Sequence, residues 1–184
     1  IYRDVWLITR GSAWIATDGT YVTVRRDGSD WRIEVDTELH TEHTARISQT
    51  LFRDREPVAG GVSQVDAGGR DRIDRQALIL TDPALWSPES PNLYRLETRL
   101  ETMDGIPIET VTQNIGFREL VFDPDRGLSL NGVHIKLNGV CEHHDLGALG
   151  AAFNKTALRR RFRILKEMGV NAVRTSHNPP APAW

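Results

Sequence analysis

Apolar and charged residues alternate with a period of two over much of the chain up to residue 116. The clearest runs are residues 31–39 (WRIEVDTEL) and 94–101 (YRLETRLE). Successive side chains of a β-strand point to opposite faces of its sheet, so each run predicts a strand with one buried and one solvent-facing side. Less regular runs predict further strands near residues 21–26, 44–53, 72–80 and 107–115.

Turn-forming residue pairs separate these runs: Gly60-Gly61, Gly68-Gly69, Asp104-Gly105 and Asn131-Gly132. The Asp-Gly and Asn-Gly pairs suit two-residue hairpin turns, which require positive φ. The two Gly-Gly pairs predict loops. Short strands joined by such turns, with no convincing helical pattern before residue 150, predict an antiparallel β-sandwich over residues 12–116.

The pattern changes after residue 150. Residues 154–169 (NKTALRRRFRILKEMG) predict a helix, since apolar residues recur on one face at helical spacing: Leu158, Phe162, Leu165 and Met168. We expect Asn154 to cap the start of this helix and Gly169 to end it. Short apolar runs precede and follow the helix, at residues 134–141 (HIKLNGVC) and 170–173 (VNAV). The order strand, helix, strand predicts a β-α-β unit with parallel strands.

An isolated β-α-β unit cannot cover both faces and both edges of its own sheet. The chain also begins with IYRDVWLITR, which lacks Met and looks like a strand from within a longer protein. We therefore expect this chain to be part of a longer one. We also expect residues from about 142 onward to be less stable than the sandwich, because the apolar helix face lacks strands to pack against.

Composition excludes some classes of partner. The residues are 39% hydrophobic and 26% charged, as in ordinary globular proteins, and the formal net charge of −2 gives no reason to expect nucleic-acid binding. No apolar run approaches the ~20 residues of a membrane span, so we expect no membrane partner. Cys141 is the only cysteine, so an internal disulfide is excluded and neither a cytoplasmic nor a periplasmic or secreted location is favoured.

Polar side chains follow both predicted strands of the β-α-β unit. Residues 141–150 (CEHHDLGALG) follow the first strand, and residues 174–182 (RTSHNPPAP), which include Asn178, follow the second. Ligands bind at the carboxyl ends of parallel strands, so the two loops predict one site. An extended backbone would direct Arg174 and His177 to opposite sides. A shared site therefore requires a bend between them.

Two kinds of chemistry can be considered for these loops. Glu142 and Asp145 can form a catalytic carboxylate pair only if their carboxyl groups lie about 5–5.5 Å apart, as retaining glycosidases require. Two acids in one loop reach that spacing only by chance, so a solvated loop is the better expectation. His143, His144, Asp145 and His177 can also be considered as metal ligands. Adjacent histidines on an extended chain face opposite ways, which makes that signal weak.

Several other residues have ordinary structural explanations. Cys141, at the end of an apolar run, is expected to be a small buried residue. The basic residues of the helix are expected to form a solvated face: Arg159, Arg160, Arg161, Arg163 and Lys166. Tryptophans elsewhere are expected to anchor packing: Trp6, Trp14, Trp31 and Trp86. None of these residues requires a functional role.

Long motifs along the whole chain resemble glycoside hydrolase family 2, which includes β-galactosidases, β-glucuronidases and β-mannosidases. They are DPALWSPESPNLYRLETRL, GFREL, LSLNGVHIKLNGVCEHHDLGALG and LKEMGVNAVRTSHNPPAP. The stretch GVCEHHDLGALG is most similar to bacterial β-galactosidase-type members. The resemblance implies the tail of a jelly-roll sugar-binding-like domain at 1–11, an immunoglobulin-like β-sandwich at 12–116, and the beginning of a TIM (β/α)8 barrel, without its remainder, at 117–184.

The resemblance also implies an activity: retaining hydrolysis of terminal β-glycosides through a covalent glycosyl-enzyme. The acid/base and nucleophile glutamates of the family would lie beyond Trp184, so we expect this chain to be inactive alone. The implied partner is a carbohydrate substrate, and the resemblance implies no cofactor and no metal. A homo-oligomer is also compatible with the resemblance.

The resemblance assigns supporting roles to residues of the two loops. Arg174 is similar to the arginine that orients the nucleophile carboxylate and keeps it ionised, since a nearby cation favours the charged acid. His177 is similar to a histidine that contacts sugar hydroxyls. His144, with His143 as the other candidate, is similar to a first-strand histidine that does the same. Asp145 is a further candidate substrate contact.

Two alternatives come from other functional classes. A non-catalytic β-sandwich module at residues 12–116 would bind glycans or a partner protein, and would show saturable binding of oligosaccharides. A small metal-dependent enzyme would use His143, His144 and His177, and would contain stoichiometric metal when purified.

Overall fold

The computed structural model describes residues 4–68, 71–177 and 179–184. Residues 1–3, Gly69 and Asn178, which entered the expectations above, lie outside the described part. The chain divides into two compact units. One is Thr9–His134, and the other contains Ile135–Trp184 together with residues 4–8.

Seven antiparallel strands form an immunoglobulin-like sandwich, as the alternating pattern predicts. They are β1 (Ala13–Asp27), β2 (Asp30–Thr41), β3 (Ala45–Arg53), β4 (Glu56–Val65), β5 (Arg72–Thr81), β6 (Tyr94–Thr102) and β7 (Pro107–Ile115). One sheet has the order β1-β2-β5 and the other β4-β3-β6-β7. The chain crosses between the sheets after β2, after β4 and after β5. The six predicted strands are confirmed, and β1 and β2 extend beyond their sequence runs, whereas β4 was not predicted.

The buried faces of the two sheets form two apolar clusters. Trp31 lies edge-on to Phe117 in one cluster, with ring centroids 5.6 Å apart, and Tyr94 packs on the same ring at 4.9 Å. The other cluster surrounds Ile47 and Leu100. The packing role predicted for Trp31 is therefore confirmed.

A buried polar layer separates the two apolar clusters. Gln49 of β3 donates from Nε2 to Thr37 Oγ1 of β2 at 3.1 Å, and Thr98 of β6 donates to Gln49 Oε1 at 2.7 Å. All three side chains are buried. Because Thr37 belongs to one sheet and the other two residues to the facing sheet, these hydrogen bonds join the sheets. A layer of this kind fixes their relative register, since sliding would leave buried polar groups unpaired.

Gly60 and Gly61 lie inside β4, so the loop predicted for this pair is wrong. A Cβ atom at Gly61 would come within 2.9 Å of Gln76 Oε1 and 3.1 Å of Leu78 Cδ2, both on β5 of the other sheet. Gln76 cannot easily move away, because its Nε2 lies within hydrogen-bonding distance of three oxygens. Glycine is needed here for the close approach of two strands.

The two predicted hairpins have different outcomes. Three short antiparallel strands follow the sandwich: β8 (Leu120–Asp123), β9 (Gly127–Leu130) and β10 (Val133–His134). Asn131 and Gly132, at φ of 52° and 81°, form the predicted two-residue turn between β9 and β10. The two-residue turn predicted at Asp104 and Gly105 is wrong. These residues belong to a longer connection between β6 and β7, which is closed by a hydrogen bond from Thr102 N to Ile106 O.

The remaining tryptophans differ in their surroundings. Trp14 stacks on the His40 ring, with centroids 4.0 Å apart. The Trp86 ring lies under the guanidinium of Arg118, and its carbonyl accepts from the Asn131 side chain. Both have the expected packing role. Trp6 does not, because it is 78% exposed in a segment without strand structure.

The second unit is a β-α-β unit, as predicted. It contains β11 (Gly139–Cys141), a 3₁₀ turn (Gly147–Leu149), α1 (Lys155–Glu167) and β12 (Ala172–Arg174). Strands β11 and β12 pair in parallel. No helix in the described part of the chain is long and apolar enough to cross a bilayer.

Both ends of α1 are capped as the sequence predicts. The Asn154 side chain accepts a hydrogen bond from Ala157 N at 2.9 Å. At the other end, Gly169 has φ of 84° and donates to Lys166 O, while Val170 donates to Leu165 O. This pair of bonds is a Schellman motif.

The apolar face of α1 is only partly covered. Leu158 is buried, Phe162 and Leu165 are half-buried, and Met168 is 71% exposed. Phe162 packs edge-on against the Trp184 ring, with centroids 5.0 Å apart. Within this unit, the helix therefore has much less apolar packing than the strands of the sandwich.

Candidate functional site

The parallel pairing of β11 and β12 brings two polar loops to one edge. Cys141 pairs with Arg174 at the last position of the ladder, and Glu142 N then donates to Arg174 O at 2.9 Å. The loops that carry the predicted site residues therefore begin side by side. This confirms the expectation that the two loops meet.

The second loop contains the bend that the sequence requires between Arg174 and His177. Ser176 has φ of 56°, in the left-handed region that few non-glycine residues adopt. The turn places the Ser176 hydroxyl 3.1 Å from Nδ1 of His177 and 3.2 Å from Nε2 of His143. The two histidine rings lie edge to face, with centroids 5.0 Å apart.

Ser176 can link the two histidines chemically. A serine hydroxyl has one proton to donate and two lone pairs that accept. It can donate to one ring nitrogen while it accepts from the other. His143 and His177 thus form a hydrogen-bonded cluster that is open to solvent on one side, which suits contacts to the hydroxyl groups of a ligand.

Arg174 lies exposed at the end of β12. Its Nη1 donates to Cys141 Sγ at 3.5 Å. Among residues 4–68, 71–177 and 179–184, no carboxylate forms an ion pair with it. The guanidinium is available to an acidic group. Cys141 itself is exposed, so the prediction that it is buried is wrong. Among the described residues, strand β11 pairs with β12 alone, and Cys141 lies at the last position of that two-stranded ladder.

His144 and Asp145 lie close to each other in the first loop. His144 Nε2 is 3.9 Å from Asp145 Oδ1, and the His144 side chain is only 17% exposed. The adjacent histidines therefore have different surroundings, as the extended-chain argument predicts. The residue that meets His177 is His143.

Arg161 is a residue whose role sequence reasoning missed. It belongs to the helix face expected to be solvated, yet its Nη1 donates to Glu142 Oε2 at 2.6 Å. The same guanidinium donates to the carbonyl oxygens of His143 and Asp145. Both the solvated-face expectation for Arg161 and the solvated-loop expectation for Glu142 are therefore wrong. Helical spacing offered a signal, since Arg161 lies three residues after the buried Leu158.

Among the described residues, the candidate site does not bring potential metal ligands together. The described residues contain no group of three His, Cys, Asp or Glu side chains placed to hold an ion. The ring nitrogens His143 Nε2 and His177 Nδ1 instead lie within hydrogen-bonding distance of the Ser176 hydroxyl. The geometry therefore gives no support to the metal-dependent alternative.

The fold and the candidate site define the class of this protein. In the chain, an immunoglobulin-like sandwich precedes a β-α-β unit that carries polar side chains at the ends of its strands. Residues 15–118 match the family described as "Glycosyl hydrolases family 2". Residues 124–184 match "Glycosyl hydrolases family 2, TIM barrel domain". The chain belongs to glycoside hydrolase family 2, and its β-α-β unit is part of the barrel domain.

Relatives agree with this assignment. The β-galactosidase BoGH2A of Bacteroides ovatus is 39% identical over 99% of this chain, which spans 22% of that protein. A β-glucuronidase of Bacteroides fragilis is 39% identical over 61% of this chain, and the match spans 16% of that protein. A solved family 2 structure from Bacteroides cellulosilyticus is 33% identical, with a TM-score of 0.85 over 92% of this chain and 24% of that one. The chain thus spans about a fifth of the length of such relatives.

Proposed function

We propose that this chain supplies part of the sugar-binding site of a retaining β-glycosidase. The observation that carries the proposal is the cluster of His143, Ser176 and His177 at the carboxyl ends of parallel strands. The Arg174 guanidinium lies at the same strand ends and has no carboxylate partner among the described residues. In TIM barrels, active sites lie at that end of the strands. The similarity to named glycosidases supports the reaction class.

The substrate we propose is a terminal β-galactoside. The match to the Bacteroides ovatus β-galactosidase extends over 99% of this chain, whereas the match to the Bacteroides fragilis β-glucuronidase extends over 61%. The longer match includes the loops of the candidate site. No cofactor enters the proposed reaction.

Each site residue has a proposed role. Arg174 orients the nucleophile carboxylate and favours its ionised form, because a cation stabilises a nearby anion. His177 and His143 hold sugar hydroxyls, with His144 and Asp145 as further candidates at the edge of the site. The acid/base and nucleophile glutamates come from parts of the barrel outside this chain. The proposed division is a jelly-roll tail at 1–11, the sandwich at 12–116 and the barrel from 117. The matched family ranges, 15–118 and 124–184, support the second and third parts of this division.

The test compares this 184-residue chain with a longer protein that includes the rest of the barrel. We expect the longer protein to hydrolyse aryl β-galactosides, and proton NMR to show the β-anomer of the sugar as the first product. We expect the 184-residue chain to show no turnover. Hydrolysis by this chain that a substitution in the site abolishes would contradict the proposal, as would the α-anomer as first product from the longer protein.

A further inference from the structure

We propose that Arg161 is a positioning residue that holds the loop of His143 in the geometry needed for sugar binding. The inference rests on the proposed function for its effect on catalysis. It assigns to a helix residue a role that acts through the loop it binds.

The Arg161 side chain joins α1 to three successive parts of one loop. It donates to the Glu142 carboxylate at 2.6 Å, to the His143 carbonyl at 3.5 Å, and to the Asp145 carbonyl. Only 28% of the Arg161 side chain and 19% of the Glu142 side chain are exposed. Partial burial strengthens such charge-assisted hydrogen bonds relative to an ion pair in water.

The loop is therefore held on two sides. Glu142 is bound through its backbone to β12, by the hydrogen bond to Arg174 O, and through its carboxylate to α1. Immediately after it, the His143 carbonyl is bound by Arg161, while the His143 ring is bound by Ser176. Without Arg161, the ring would keep its contacts with Ser176 and His177, but the backbone that carries it would lose its attachment to α1.

The chemistry of arginine suits this task. A planar guanidinium has five N–H donors and can serve a carboxylate and two carbonyls together, whereas a lysine ammonium acts as a compact charge. We therefore expect Arg161→Lys to recover only part of the effect. Arg161→Met keeps an unbranched apolar stem and removes every donor.

The first experiment measures kcat and KM of the longer protein for an aryl β-galactoside. We expect Arg161→Met to lower kcat/KM by roughly 10- to 100-fold, the range that follows when the support of a binding residue is removed. Arg161→Lys should fall between this variant and the wild type. Arg159→Met and Arg163→Met, exposed positions on the same helix, are the matched controls and should stay within about 2-fold of the wild type.

A second pair of variants shows whether Arg161 acts through His143. In a His143→Ala background, adding Arg161→Met should change kcat/KM by less than about 2-fold, because the residue being positioned is already gone. If Arg161→Met has the same effect in both backgrounds, or no effect in the wild type, the inference is overturned.

A readout without substrate separates this inference from the proposed function. In the 184-residue chain, ¹⁵N NMR of the imidazole rings should show shifted His143 and His177 signals in Arg161→Met, and in Arg161→Lys if the Met variant does not fold. The control variants should leave the signals in place. Unchanged ring signals in both Arg161 variants overturn the inference. Absence of glycosidase activity in the wild-type longer protein overturns the proposed function alone, and the NMR result then decides the positioning role.

Discussion

The Ser176 hydroxyl lies 3.2 Å from Nε2 of His143, and the backbone that places it there has φ of 56°. Left-handed backbone at a residue with a Cβ is unfavourable by about 1 kcal/mol and persists where the surroundings require it. Here it turns the chain so that His177 meets His143. The cluster proposed to bind sugar therefore depends on one strained residue.

Substitutions at Ser176 distinguish the effect of its hydroxyl group from the effect of its left-handed backbone conformation. Ser176→Gly accepts the left-handed conformation readily but removes the hydroxyl, whereas Ser176→Ala removes the hydroxyl and keeps the strain. We expect both to lower kcat/KM of the longer protein by several-fold to about tenfold, because loss of the hydrogen bond that holds the His143 ring costs about 1 kcal/mol. Wild-type kcat/KM in Ser176→Gly would show that only the bend matters.

The polar layer of the sandwich predicts a specific pattern of stability. Gln49→Leu leaves the buried hydroxyls of Thr37 and Thr98 without this partner. We expect a loss of at least about 2 kcal/mol in the free energy of unfolding, measured by urea denaturation of the 184-residue chain. Replacing all three residues, with Thr37→Val, Gln49→Leu and Thr98→Val, should recover most of the loss. A triple variant no more stable than Gln49→Leu would contradict this explanation.

The two units should differ in local stability. Strand β2 has a hydrogen-bonded neighbour on each side, whereas β11 and β12 have three residues each and pair only with each other in the described structure. Few buried apolar contacts and exposed backbone bonds favour local opening. We expect amide protons at residues 142–177 to exchange faster than those at 31–39 when the 184-residue chain is followed by hydrogen-exchange NMR. Slower exchange at residues 142–177 than at residues 31–39 would contradict the prediction.

Most of the fold could be predicted from local patterns, because strand alternation and helix capping are local properties. The buried positions of β2 and the cap at Asn154 follow directly from the sequence. The loop predicted at Gly60-Gly61 is wrong because a glycine pair in a loop and one inside a strand have the same local sequence. What requires glycine at position 61 is Gln76 on the facing sheet, 15 positions away in the chain.

The candidate site was predictable only in part. Parallel pairing of the two strands correctly brings Arg174 and His177 to the same edge as the first loop. Local sequence cannot tell which of two adjacent histidines meets His177, since the answer depends on the φ of Ser176. Nor does it show that Arg161 is not simply solvated, because Glu142 becomes its partner only when the helix folds back against the loop that follows β11.

The most direct test of the account is the kcat/KM of the longer protein with Arg174→Met. An exposed guanidinium with no acidic partner in the described chain is proposed to act on the catalytic carboxylate. We expect kcat/KM for an aryl β-galactoside to fall by about 100- to 1000-fold, the effect of losing one preorganised charged donor, while the urea midpoint stays unchanged. Wild-type kcat/KM in this variant would contradict the claim that the strand ends of this chain form part of the active site.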